Sequence, residues 1–108
     1  MGKSQNLLQG TLDLLILHAL RSSEMHGYAI AQTTHLLSDE VLVVEEGSLY
    51  PALSRLELDG CISSTWGLSE NNRKAKYYKI TTRGKKALTS EQQSWHRLSA
   101  AVQEVLAR

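Results

Sequence analysis

The sequence predicts a mainly α fold with a small β-hairpin, and three observations lead there. Hydrophobic residues make up 42% of the 108-residue chain, yet Phe is absent. The core must therefore rest mainly on Leu, which suits packed helices. Two helical patterns flank a short break, SSEMHG, and a third begins near Glu45. After Gly60, two short strand-like runs enclose a polar turn. Helix, turn, helix, a further helix and then a hairpin is the element order of a winged helix-turn-helix, here followed by a long C-terminal helix. At this length the chain is expected to form one compact unit, divided at residues 1–81 and 82–108.

The first helix is QGTLDLLILHAL, Gln9 to Leu20, apolar on nearly every side. A single amphipathic stripe needs less, so a partner subunit is expected to cover a second face, with Leu14 and Leu17 as contacts. GYAIAQTTHLL forms the second helix. VLVV, Val41 to Val44, is too short for a helix and β-branched enough for a small strand.

In EEGSLYPALSRLELDG, Leu49, Ala52, Leu53 and Leu56 recur at i, i+3, i+4 and i+7 and line one face of a third helix. Pro51 is expected in its first turn, where a missing N–H costs nothing, which places the helix start near Glu46 to Ser48. The opposite face carries Ser48, Tyr50, Pro51, Ser54 and Arg55. Glu45 and Glu46 are candidate caps.

CISSTWGL and KYYKIT are the hairpin strands. Cys61, Ile62 and Trp66 are packing candidates in the first, Tyr77, Tyr78 and Ile80 in the second. One of the two adjacent tyrosines should be core and the other exposed, because successive strand residues face opposite ways. SENNRKA is a turn with a cationic tip. The last helix is expected to start at an N-cap, Thr82. Leu88, Trp95, Leu98, Val102 and Val105 or Leu106 then recur at coiled-coil-like spacing. So long a seam has little of its own chain to pack against, and dimerisation is the economical explanation.

Composition excludes several function classes. One cysteine, Cys61, cannot form an internal disulfide, and His18, His26, His35 and His96 show no metal-ligand spacing, so no metal or cofactor is expected. A reducing cytoplasm fits this cysteine usage. Neither a secretory signal nor a membrane span is expected, since no apolar run approaches roughly 20 residues. No nucleophile elbow, acid–base dyad or glycine-rich phosphate loop is present, so the chain does not read as an enzyme.

The net charge of +1 conceals a segregated distribution. Arg73, Lys74, Lys76, Lys79, Arg83, Lys85 and Lys86 lie between Asn71 and Ser90 without an intervening acid. Six of the eleven acids lie between Asp39 and Asp59. A basic segment beside an exposed helix is what double-stranded DNA requires, because a helix fits the major groove and cations neutralise phosphates. On this reading Ser48, Tyr50 and Ser54 approach phosphates or base edges, Arg55 reaches further, and Arg73, Lys74 and neighbouring Lys76 supply attraction. The alternative is a winged-helix module for protein–protein association that uses the same face without specific DNA binding.

GTLDLLILHAL, HGYAI, GSLYPALSRLELDG and KYYKITTRGKKAL, in that order, resemble the PadR-like transcriptional regulators over nearly the whole chain. The resemblance implies a homodimeric winged-helix repressor of a palindromic operator, with residues 1–81 binding DNA and residues 82–108 joining protomers. It places Ser48, Tyr50 and Pro51 at the start of the recognition helix, His26 and Tyr28 near the second helix start, and Arg73 and Lys74 on the wing. It also gives Tyr78 a phosphate contact. In short members of the family an aromatic residue of the last helix lines a drug- or phenol-binding pocket at the dimer interface. Trp95 is similarly placed, which implies a small aromatic effector.

Overall fold

A computed structural model describes residues 9–108; the expected start of the first domain, residues 1–8, lies outside the described residues. The elements are α1 (Gln9–Leu20), β1 (Met25–His26), α2 (Gly27–Leu37), α3 (Glu46–Leu58), β2 (Ile62–Leu68), β3 (Lys74–Ile80) and α4 (Thr82–Leu106). The antiparallel sheet has strand order β1-β3-β2. β2 and β3 pair from Ile62–Ile80 to Leu68–Lys74, while β1 adds Met25 opposite Tyr78 and His26 opposite Tyr77.

Helix α1 is the axis of the core. It packs against α2, α3, β3 and α4, and Leu12, Ile16, Leu17 and Leu20 are buried by these neighbours. From α3, the expected Leu49, Ala52, Leu53 and Leu56 all enter the same cluster. Each fully buried Leu or Ile contributes about 1.5–3 kcal/mol relative to exposure.

Two expected dimer contacts are thereby corrected. Leu17 is 1% exposed and Leu88 8% exposed within the single chain, so both are core residues of the protomer with no surface left for a partner. The chain itself covers most of α1, because α4 folds back onto it; Leu14 remains half-buried at the edge of the core.

The strand expected at Val41–Val44 does not form. Groups from the preceding turn meet part of its backbone instead: Val41 N–H donates to Ser38 O at 3.1 Å, Leu42 N–H donates to Ser38 Oγ at 2.9 Å, and His35 Nδ1 lies 2.8 Å from the Leu42 carbonyl. The free edge of β3 is occupied by Met25–His26, part of the segment expected to be a plain break. Asp39 and Glu40, at φ 54° and 68°, turn the chain sharply before this stretch.

Other local expectations shift. Helix α3 starts at Glu46, within the expected range, but Pro51 is its sixth residue rather than part of the first turn. The cost is one bond: the Gly47 carbonyl goes without the donor that residue 51 would supply, and Gly47 is exposed where water can replace it. Glu45 is the N-cap but makes no side-chain cap bond; its carbonyl accepts from Ser48 and Leu49. The cap of α4 is Thr81, not Thr82, its hydroxyl accepting from Gly84 N–H at 3.0 Å.

Two glycines fix how α3, the hairpin and α4 join. Gly60, at φ 79°, follows the last turn of α3, with Gly60 N–H donating to Glu57 O and Cys61 N–H to Leu56 O. This paired pattern ends a helix with a left-handed residue, which glycine adopts without strain. Gly84 lies so close to the Cys61 carbonyl oxygen that an added Cβ would stand 2.0 Å from it. Gly84→Ala is therefore expected to cost about 3 kcal/mol or more in urea unfolding, because backbone must move. In Gly47→Ala the added methyl meets nothing within 4 Å, and the same measurement should show a gain of about 0.5–1 kcal/mol.

Candidate nucleic-acid interface

The N-terminal turn of α2 is built by a histidine. His26 is in extended backbone at the N-cap, and its Nδ1 accepts from Ala29 N–H at 3.2 Å. In the neutral ring that bond leaves the proton on Nε2. The ring meets Tyr77 edge-on, with centroids 5.3 Å apart, and tilts toward Tyr28 at 6.4 Å. Tyr28, next along α2, is exposed.

Tyr50 of α3 lies over the same turn. A Cβ added to Gly27 would stand 2.7 Å from Tyr50 Oη and 2.9 Å from its ring, so the tyrosine sits in a space that only glycine leaves open. Tyr50 nevertheless keeps 44% of its surface exposed. The recognition-helix candidate and α2 thus present aromatic groups side by side.

The hairpin supplies the third wall. Its turn closes through Ser69 N–H to Arg73 O at 2.8 Å and Asn72 N–H to Ser69 O at 2.9 Å, with Asn72 at φ 61°. Asn tolerates that conformation better than most residues. Tyr77 lies across the wing over Gly67, and its hydroxyl donates to Leu68 O at 2.9 Å. Arg73 and Lys74 are exposed at the exit of the turn, and among the described residues neither is in an ion pair.

Between these walls runs an open groove of about 940 Å³. Of the residues singled out from the sequence, it brings together His26, Tyr28, Tyr50, Arg73, Lys74 and Lys76, with Tyr78 in its floor. Ser48, Pro51 and Ser54 do not line it; they lie along α3 beside it, Ser48 half-buried, Pro51 and Ser54 exposed. Glu24 and Glu70 stand on its rim and limit its positive charge.

Three expectations for this face need correction. Arg55 does not reach outward: its guanidinium donates to Asp13 of α1 at 2.5 Å. Burial raises the Asp13 carboxyl above its ordinary range, and the Arg55 hydrogen bond and charge pull the other way. Tyr78 is 6% exposed, so its ring is core; burial, then the charge of Glu57, pushes its hydroxyl up. Trp66, expected to pack, is 66% exposed and lines the groove, because the β2 face it shares with Ile62 and Ser64 extends past the end of α3.

Sequence reasoning missed Gly27, Trp66 and Glu57 as parts of this face. Gly27 carried a signal, a glycine at a helix start followed by no turn. Glu57 had none, since its partners come from the hairpin: it accepts from Ser64 Oγ at 2.6 Å and lies 3.5 Å from Lys76 Nζ.

Comparison with known proteins now decides the family, because residues 16–90, more than half the chain, match the model of the transcriptional regulator PadR-like family. The chain belongs to the PadR-like family. It is 36% identical over 89 residues to transcriptional regulator Rv3488 of Mycobacterium tuberculosis, covering 82% of this chain and 79% of that protein. Among solved structures it resembles a transcriptional regulator from Clostridium thermocellum, with a TM-score of 0.80 at 31% identity, covering 89% of this chain and 93% of the other. A PadR family transcription regulator from Clostridium difficile superimposes with a TM-score of 0.72 at 29% identity, covering 88% and 97%. The chain is thus a PadR-type transcriptional regulator with a winged-helix fold, a class of regulators rather than of enzymes. Among the described residues no helix is long and apolar enough to cross a membrane.

The Gly27–Tyr50 contact gives a direct test of how α2 and α3 are joined here. Gly27→Ala is expected to destabilise the protein by about 1 kcal/mol, because the end of the half-exposed Tyr50 ring must swing aside. In a Tyr50→Ala background the same change should cost less, with a coupling of at least about 0.5 kcal/mol in a double-mutant cycle. Additive costs would show that the ring does not press on the α2 turn.

Proposed function

We propose that the chain is a homodimeric repressor that reads a palindromic operator in double-stranded DNA, in the cytoplasm. The observation that carries this reading is the groove, where the start of α2, Tyr50 of α3 and the cationic wing tip converge on one face. Residues up to 81 form the DNA-binding part, and the helix that follows joins two protomers. Helix α3 enters the major groove with Ser48, Tyr50 and Ser54 toward DNA. His26 and Tyr28 meet the adjoining backbone, and Arg73 and Lys74 neutralise phosphates.

Dimerisation is supported by the apolar stripe on α4. Trp95, Leu98, Val102, Val105 and Leu106 are each between 43% and 79% exposed in the single chain, spaced along one helix seam. At 25 residues α4 is roughly 37 Å long, and its last turns project beyond the core. Stripes of this kind are covered by a second helix in dimers. A small aromatic effector held against Trp95 at that seam would couple ligand binding to the spacing of the two DNA-reading helices.

A salt series on the chain's own upstream DNA tests the first part. Affinity should fall steeply as salt rises, and Arg73→Gln with Lys74→Gln should flatten the log–log slope by about 0.9 for each phosphate that is no longer neutralised. Binding that ignores salt, or no binding, would sink the repressor reading and favour a protein-association module. For the seam, Leu98→Glu should yield a poorly stable monomer in sedimentation, since a charge would be buried between helices. A stable Leu98→Glu dimer would refute the assignment.

A further inference from the structure

We propose that Glu57 is a positioning residue that ties the recognition helix to both strands of the wing and withholds Lys76 from DNA phosphates, so that the wing attracts DNA only at its tip. The inference rests on the DNA-binding reading above and extends it to a residue that does not itself line the groove.

Glu57 stands in the last turn of α3. One carboxylate oxygen accepts from Ser64 of β2 at 2.6 Å, and the other lies 3.5 Å from Lys76 Nζ of β3. A single side chain therefore spans α3, β2 and β3. Lys76 is held inward, its ammonium 6.0 Å from the centre of the Tyr78 ring, while Lys74, two residues earlier on the same strand face, projects free beside Arg73. The side chains of Lys76 and Glu57 are 39% and 34% exposed, so solvent screens the pair and it adds little to stability. Its effect is on charge placement.

Without Glu57, Lys74 and Lys76 would form a cationic row from the wing tip to the base of α3, and that row would attract any duplex. With it, the row is shortened to the tip. Phosphate attraction carries no sequence information, whereas the groups on α3 do. Restricting the former raises the share of binding decided by the latter, which makes Glu57 a determinant of specificity although it touches no base.

The test measures binding of the full-length chain to a fluorescein-labelled duplex of scrambled sequence over a range of salt. Glu57→Gln keeps an acceptor for Ser64 but frees Lys76. It should tighten binding to this duplex and steepen the slope of log affinity against log salt by about 0.9 per protomer. Adding Lys76→Gln to Glu57→Gln should return the slope to its original value. Ser64→Ala removes the hydrogen bond without altering charge and should leave the slope as it was, which separates electrostatic masking from a merely structural tie. A Glu57→Gln slope equal to that of the unmodified protein, or a gain that persists after Lys76→Gln, overturns the proposal. If the unmodified protein shows no salt-dependent DNA binding at all, it is the DNA-binding reading that fails.

Discussion

Two residue pairs, Met25 with Tyr78 and His26 with Tyr77, hold together parts of the chain some fifty positions apart, and the candidate interface depends on them. They add a short third strand to the hairpin and so bring the first turn of α2 against the wing. Because His26 is both the last strand residue and the N-cap of α2, the direction of the strand sets the direction of the helix. Its ring then packs on Tyr77, which in turn lies over Gly67. A groove walled by three separate elements is fixed by one ladder and one edge-on aromatic pair.

A similarly small set of contacts governs the base of the hairpin. Gly60 turns the chain out of α3, the Cys61 carbonyl accepts from Thr81 N–H, and the Gly60 carbonyl accepts from the Thr81 hydroxyl. Gly84 then allows α4 to lie directly on this corner. The long helix is thereby aimed along α1, burying Leu88 and leaving Trp95 and the apolar seam residues beyond it uncovered. The direction in which α4 leaves the domain is decided by backbone contact at a glycine, not by the seam residues themselves.

Much of this was legible in the chain. The periodicity of Leu49, Ala52, Leu53 and Leu56 identified the buried face of α3, since one helical stripe admits one reading. The hairpin was equally clear, because two strand-like runs around a polar turn have few alternatives. Reading failed where the answer lay in a partner distant in sequence. Val41–Val44 had strand-like residues but pairs with no strand, while Met25–His26, with little strand character, takes the edge of β3. Trp66 alternates correctly with Ile62 and Ser64, yet the core ends before it.

The sequence by itself determined the family, the order of the four helices and the hairpin, the buried stripe of α3 and the separation of acidic from basic segments, all of which are carried by local spacing or by residue identity. Tertiary structure alone decided which charges face outward. Arg55 and Lys76 look alike from the sequence, as free cations near the reading face, but Asp13 and Glu57 reach them from other elements. It also decided that Leu17 and Leu88 belong to the protomer's core rather than to a partner. In each case the reason is the same: burial and ion pairing are set by what packs against a side chain, and for these residues that neighbour lies elsewhere in the chain.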